Sequence, residues 1–167
     1  MIREALAEFA NANARVFDDR ASTVGASEIG QCARKTFFAK NASDPTYGIT
    51  SDTDFEDTYG ATLRGRLLEN HFWVPALRAR FGSKLLYAGN EQRTLTSGFL
   101  SATPDGLLID APEDEFVRLG VFDITGDGSV VVECKSIDPR VRQELKPEHV
   151  YQAQVQLGLL SVRPKTF

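Results

Sequence analysis

The chain has 167 residues, a 42% apolar share and a net charge of −4, enough for one domain with its own core and no need of disulfide staples. No apolar run approaches the roughly 20 residues that span a bilayer, and the N-terminus has no signal-peptide core, so the expectation is a soluble, cytoplasmic protein with no membrane partner. Cys32 and Cys134 are too few and too widely spaced for a zinc site of their own, and the acidic balance speaks against a large footprint on duplex nucleic acid.

The charge is uneven, however. Residues 41–60 hold Asp44, Asp52, Asp54, Glu56 and Asp57 with no lysine or arginine. Residues 61–80 hold Arg64, Arg66, Arg78 and Arg80 against Glu69. A basic surface can therefore coexist with an acidic total.

In chain order, residues 2–17 predict an amphipathic helix that buries Ile2, Leu6, Phe9 and Val16. A break at 21–25 leads to Ser27, which reads as the N-cap of a helix over 28–40 with Ile29, Phe37 and Phe38 apolar. The polar, acidic stretch 41–59 reads as a flexible loop. A third helix is expected over 60–81, with Pro75 kinking or dividing it. Strands are expected at 84–88, 91–95 and 106–109. A hairpin over 116–125 and 129–135 would turn through Gly126, Asp127 and Gly128. Pro147 then opens a last helix to about Ser161. Helices, an antiparallel meander and a helix imply an α/β or α+β fold, a sheet flanked by helices, in a single domain over 1–167.

Two segments carry the chemistry. Pro104-Asp105-Gly106 opens one strand, and Glu133-Cys134-Lys135 closes another. Strand alternation sends Glu133 and Lys135 to one face and Cys134 to the other. The apolar run around Val131 marks its strand as central and buried. A lone Glu-x-Lys is ordinarily a surface ion pair. Preceded by Pro-Asp-Gly on an earlier strand, it becomes the donor set for a hard divalent cation beside an ammonium group, which suits phosphodiester hydrolysis.

On these residues the chain resembles the PD-(D/E)XK nuclease superfamily, in its lambda-exonuclease/YqaJ-like and RecB-like branch. Four segments match in order: Gly25 to Ile29, the Gly65-x-x-x-Glu69 helix, the Asp105-Gly and Glu133-Cys-Lys135 motifs, and Tyr151-Gln-Ala-Gln154-Val-Gln156. The resemblance implies a restriction-endonuclease-like core with a central mixed sheet. It implies Mg²⁺, with Mn²⁺ as a substitute, held by Asp105, Glu133, the Cys134 carbonyl and Glu69. Lys135 would orient or deprotonate the attacking water. Gln154 would touch the scissile region or order the lysine, and Tyr151 belongs to the same substrate-facing signature. Arg20 and Ser27 fall where lambda-type exonucleases hold a 5′-phosphate, a role that a helix N-terminus at Ser27 would favour.

The function so implied is metal-dependent cleavage of DNA to 5′-phosphates by a phage or prophage recombination exonuclease in a bacterial host. The alternatives are a structure-selective or restriction-type endonuclease and a non-catalytic DNA- or protein-binding module on the same fold. The segment around Cys32, Arg34 and Lys35 is also similar to that of nucleases with an iron–sulfur cluster, but no cysteine follows Cys134. No cluster is expected, and Cys32 reads as a buried structural residue. The family usually continues past the glutamine helix with another strand and helix. The expectation is therefore a fragment or a reduced form whose sheet is completed by a second copy or a recombination partner.

Overall fold

The computed structural model describes residues 2–12, 22–42, 44–48, 55–111, 114, 128–136 and 144–162. Arg20, Val16 and the first strand of the expected 116–125 hairpin lie outside them.

Helix α1 spans Ile2–Ala12, with Glu4 in its first turn complementing the helix dipole. Its apolar face is not core. Ile2, Leu6 and Phe9 are exposed, and of the expected stripe's neighbourhood Ala10 is the buried residue. Amphipathic spacing identifies a helix, but it does not supply a partner for the apolar face.

Strand β1 (Val24–Gly25) runs into a 3-10 turn, Ala26–Glu28. Helix α2 then begins at Ala33 and ends at Lys40, with Cys32 at the N-cap position. Ser27 is thus inside a 3-10 turn and does not cap the helix. The reason is Gly30, whose φ of +86° breaks any continuous helix from 28. Gly30 also lies so close to Tyr151 and Glu148 that a Cβ there would stand 2.7 Å from the tyrosine ring. Cys32 is exposed and not buried, because it flanks the helix end and does not face the interior.

Helix α3 starts at Phe55, earlier than expected, and runs to Leu68. A π turn over Glu69–Trp73 follows, and α4 continues over Val74–Phe81. Pro75 explains the division: it has no N–H for the fourth carbonyl back, and its ring crowds that turn. The wider π turn absorbs the mismatch, as such turns commonly do.

Strands β2 (Leu85–Leu86), β3 (Leu95–Ser97), β4 (Leu100–Ala102), β5 (Gly106–Leu108) and β6 (Val130–Val132) come next. Among the described residues they form two three-stranded sheets, ordered β1-β4-β3 and β2-β5-β6. The β3–β4 hairpin turns at Gly98, with a φ of +56°; it and β4 fall between 96 and 105, where no strand is expected from the sequence. Between β2 and β3 the chain makes a 3-10 turn, Gly89–Glu91, in place of an early strand. β1 joins β4 in parallel, and Thr23 donates its hydroxyl to Ser101 at 2.7 Å across that pair.

Helix α5 spans Pro147–Val162. Its Leu159 packs with Ala26, Leu95 and Ala102, and with partly buried Leu100, Val155 and Leu160, to form the core above the first sheet. In the second sheet the buried strand is β5, not β6. β5 is buried at all three positions, while β6 is half-buried and ends the described strand order. Gly106 makes this packing possible, since a Cβ there would meet Leu85 at 3.1 Å and Val132 at 3.5 Å. The result is a mixed α/β fold with small sheets and helices. Among the described residues, no helix is long and apolar enough to cross a membrane.

Candidate functional site

After Ala102 the chain leaves the first sheet through Thr103 and the fully buried Pro104, then enters β5. Asp105 sits at that crossing. The antiparallel register pairs Gly106 with Val132, so Asp105 and Glu133 occupy adjoining strand ends just beyond the ladder. The backbone N–H of Cys134 donates to Asp105 Oδ2 at 2.6 Å, and Gln92 Nε2 donates to Oδ1 at 3.2 Å.

Asp105 is electrostatically loaded. Burial, then the charge of Glu133, and then that of Glu69 raise its pKa from 3.8 to about 6, against the opposing pull of the Cys134 N–H and Lys135. Cys134 shares these surroundings. Burial first, then Asp105, Glu133 and Glu69, push its thiol up to about 11.

Alternation along the segment after β6 divides its side chains. Glu133 and Lys135 turn to α5, while Cys134 and Ser136 line a cavity of about 230 Å³ together with Asp105, Glu69, Arg66, Gly65, Thr62 and Trp73. On the α5 side Lys135 Nζ donates to Glu133 Oε1 at 2.6 Å and to Gln152 Oε1 at 2.9 Å. Gln152 Nε2 donates to Glu133 Oε1 at 2.7 Å, and Gln156 Nε2 donates to Oε2 at 2.7 Å. Gln152 and Gln156 are both buried.

The structure therefore brings Asp105, Glu133, Lys135, Cys134 and Glu69 into one region. It leaves Gln154 out, exposed on the far side of α5. Residues four apart on a helix share a face and residues two apart do not, so the pair that meets the lysine is Gln152 and Gln156. Tyr151 is 46% exposed and packs beside Gly30. Ser27 is exposed, with its carbonyl accepting from the Gln31 side chain at 2.6 Å. The neighbouring Glu28 is structural: it accepts from the Gly25 N–H at 2.6 Å and pairs with Lys40 at 2.9 Å. Arg20 lies outside the described residues.

Sequence reasoning did not single out Gln92, Thr62, Trp73, Ser136 or the position of Arg66 beside the acids. For the helix residues a signal was present: Thr62, Arg66, Glu69 and Trp73 are spaced four, three and four apart, which is one helical stripe. For Gln92 there was none, because its contact depends on how two distant segments fold together.

The donor chemistry suits a hard divalent cation. Asp105 and Glu69 offer carboxylate oxygens to the cavity, and burial with adjacent like charge makes a neutralising cation favourable. Among the described residues, no three His, Cys, Asp or Glu side chains are gathered as a finished metal site. No protein-family model, curated protein or solved structure matches the chain.

Proposed function

We propose that this protein is a magnesium-dependent deoxyribonuclease on a restriction-endonuclease-like core, hydrolysing phosphodiester bonds to leave 5′-phosphates. One observation carries the reading. Asp105 and Glu133 meet at the ends of paired strands, with Lys135 fixed beside them and Glu69 on the other wall.

Magnesium, when bound, would neutralise charge on the phosphate and lower the cost of generating the attacking oxygen. Asp105, Glu69 and the Cys134 carbonyl are the groups that would hold it on the cavity side, joined by Glu133 from the neighbouring strand end. Lys135 contributes a charge whose position is set by two acceptors, Glu133 and Gln152. An ammonium so restrained can hold a water or stabilise charge developing on the phosphate without reorganising. Gln152 serves as an adapter, accepting from the lysine while donating to the glutamate.

A second reading, a DNA- or protein-binding module without turnover, is favoured by one feature. Both oxygens of Glu133 already accept hydrogen bonds from α5 or Lys135. Incubation with linear and circular DNA, in Mg²⁺, Mn²⁺ or EDTA, separates the two. The nuclease reading expects cleavage that EDTA stops and Asp105→Ala abolishes. It also expects Lys135→Ala to slow turnover by about 10²–10⁴-fold. Cleavage of linear DNA alone marks an exonuclease, the form expected of a recombination enzyme, whereas nicking of circles marks an endonuclease. Binding with no cleavage under any metal condition would install the second reading in its place.

A further inference from the structure

Helix α1 carries its apolar stripe on the outside. Ile2, Leu6 and Phe9 are 77%, 55% and 64% exposed, and their spacing of four and then three residues is the anchor pattern of a helix laid into a groove. Ala10, the buried residue of α1, lies about 100° round the helix from Phe9. The side that α1 buries in its own fold is therefore not the centre of the stripe.

A groove of matching character lies elsewhere on the surface. β1, the 3-10 turn after it and α2 enclose about 460 Å³, within the roughly 300–1,000 Å³ of cavities that bury a ligand. Val24, Ile29, Ala33 and Phe37 make its lining mostly apolar. Glu28, Gln31, Lys40 and Asn41 of the same lining are turned to partners within the fold. Lys40 pairs with Glu28 at 2.9 Å, Gln31 donates to the Ser27 carbonyl at 2.6 Å, and Asn41 donates to the Phe37 carbonyl at 2.8 Å. A small polar ligand is ordinarily fixed by polar groups that converge on it, and here these are directed elsewhere. The occupant this groove suits is apolar. No residue of α1 is among its described lining. The charges are complementary as well: α2 carries Arg34, Lys35 and Lys40 and no acid, whereas α1 carries Glu4 and Glu8 against Arg3.

We infer that the groove receives α1 of a second copy of this chain, with Ile2, Leu6 and Phe9 seated against Val24, Ile29, Ala33 and Phe37, and that two copies exchange the contact about a two-fold axis. Reciprocity closes the pair, since each copy gives one helix and receives one. The groove shares no described lining residue with the Asp105 cavity, so the inference does not depend on the nuclease reading.

Sedimentation velocity over a concentration series tests it. The wild type should pass from monomer to dimer. Leu6→Glu lies at an exposed helix position, and Ala33→Glu opens α2, where a carboxylate suits the helix dipole. Both should keep the wild-type circular dichroism spectrum. One interface anchor is worth about 30-fold in Kd, and the exchange carries each change twice, so each variant should dimerise about 10³-fold more weakly. Mixed in equal amounts, with one of them fluorescein-labelled, the two should form a dimer tighter than either forms alone. The Ala33→Glu copy still has a wild-type α1 and the Leu6→Glu copy a wild-type groove. The mixed pair therefore keeps one whole contact, while each variant alone keeps none. Phe9→Glu or Thr36→Glu takes the place of a variant that loses the wild-type spectrum.

A wild type that stays monomeric, a variant that dimerises as tightly as the wild type, or a mixture no tighter than its parts overturns the inference. A monomeric wild type in which both changes lower the melting temperature would seat α1 in the groove of its own copy, which overturns it too.

Discussion

Replacing Asp105 with asparagine should make the protein more stable at neutral pH, although the residue lies at the centre of the candidate site. The folded protein raises this acid from 3.8 to about 6, through burial first and then Glu133 and Glu69. At about 1.4 kcal/mol per tenfold change in acidity, ionising Asp105 in the native state costs about 3 kcal/mol. The sign follows from proton counting. Between the two values the native state keeps a proton that the unfolded chain has released. Stability therefore falls as pH rises through that window, and the full penalty applies above it. Asparagine keeps the shape and can still accept from the Cys134 N–H through its oxygen, while the Gln92 amide can rotate to meet the new NH₂ group. In urea titrations followed by circular dichroism in EDTA, Asp105→Asn should exceed the wild type by about 2–3 kcal/mol at pH 7.5. That corresponds to roughly 4–12 °C in melting temperature for a chain of this size. The difference should nearly vanish near pH 3.5, where the wild-type acid is protonated in the native state and mostly protonated in the unfolded one. Saturating Mg²⁺ should narrow the gap at pH 7.5, since a ligand at 100 times its Kd stabilises the native state by about 2.7 kcal/mol. An asparagine variant no more stable than the wild type at pH 7.5, or an advantage undiminished at pH 3.5, would refute the reasoning.

The two cysteines should differ in reactivity. Cys32 is exposed, and backbone N–H groups of Lys35 and then Arg34 lower its thiol pKa, whereas Cys134 at about 11 is below about 0.1% thiolate at pH 7.5. Peptide mass spectrometry after brief iodoacetamide treatment should find label on Cys32 first, and equal labelling would contradict the placement of Cys134. Gln156→Ala removes the donor to Glu133 Oε2 and should cost roughly 1–3 kcal/mol in urea denaturation. Gln154→Ala, on the exposed face, should stay within about 0.5 kcal/mol of the wild type, and a reversed order would mean that the phase of α5 is wrong.

What could be read from sequence was whatever depends on a local period. Strand alternation put Glu133 and Lys135 on one side and Cys134 on the other, as found, and Pro75 divided its helix as its missing N–H requires. Phase and partner were not legible. Three glutamines at alternate positions of α5 announce a polar feature, but only packing against β6 selects Gln152 and Gln156 over Gln154. The apolar stripe of α1 was visible and its exposure was not, because exposure depends on the rest of the fold. Ser27 looked like a cap by composition. The positive φ of Gly30, which lies close against Tyr151, moved the helix start to Ala33 instead.

The two faces of the segment after β6 do different work. On the α5 face Glu133 is a satisfied anion, accepting from Lys135, Gln152 and Gln156. On the cavity face Asp105 has one backbone N–H and one amide against two neighbouring carboxylate charges. It is the under-compensated group, and the one that gains most from a cation. Changes on the α5 face therefore act on where the lysine sits, and changes on the cavity face act on what is held. Because residues 133 to 136 alternate between these faces, a single-residue slip of β6 would exchange Lys135 and Glu133 for Cys134 and Ser136. The pairing of buried Gly106 with half-buried Val132, where an added Cβ would stand 3.1 Å from Leu85, opposes that slip. The packing of β5 is thereby part of how the site holds its charge pattern.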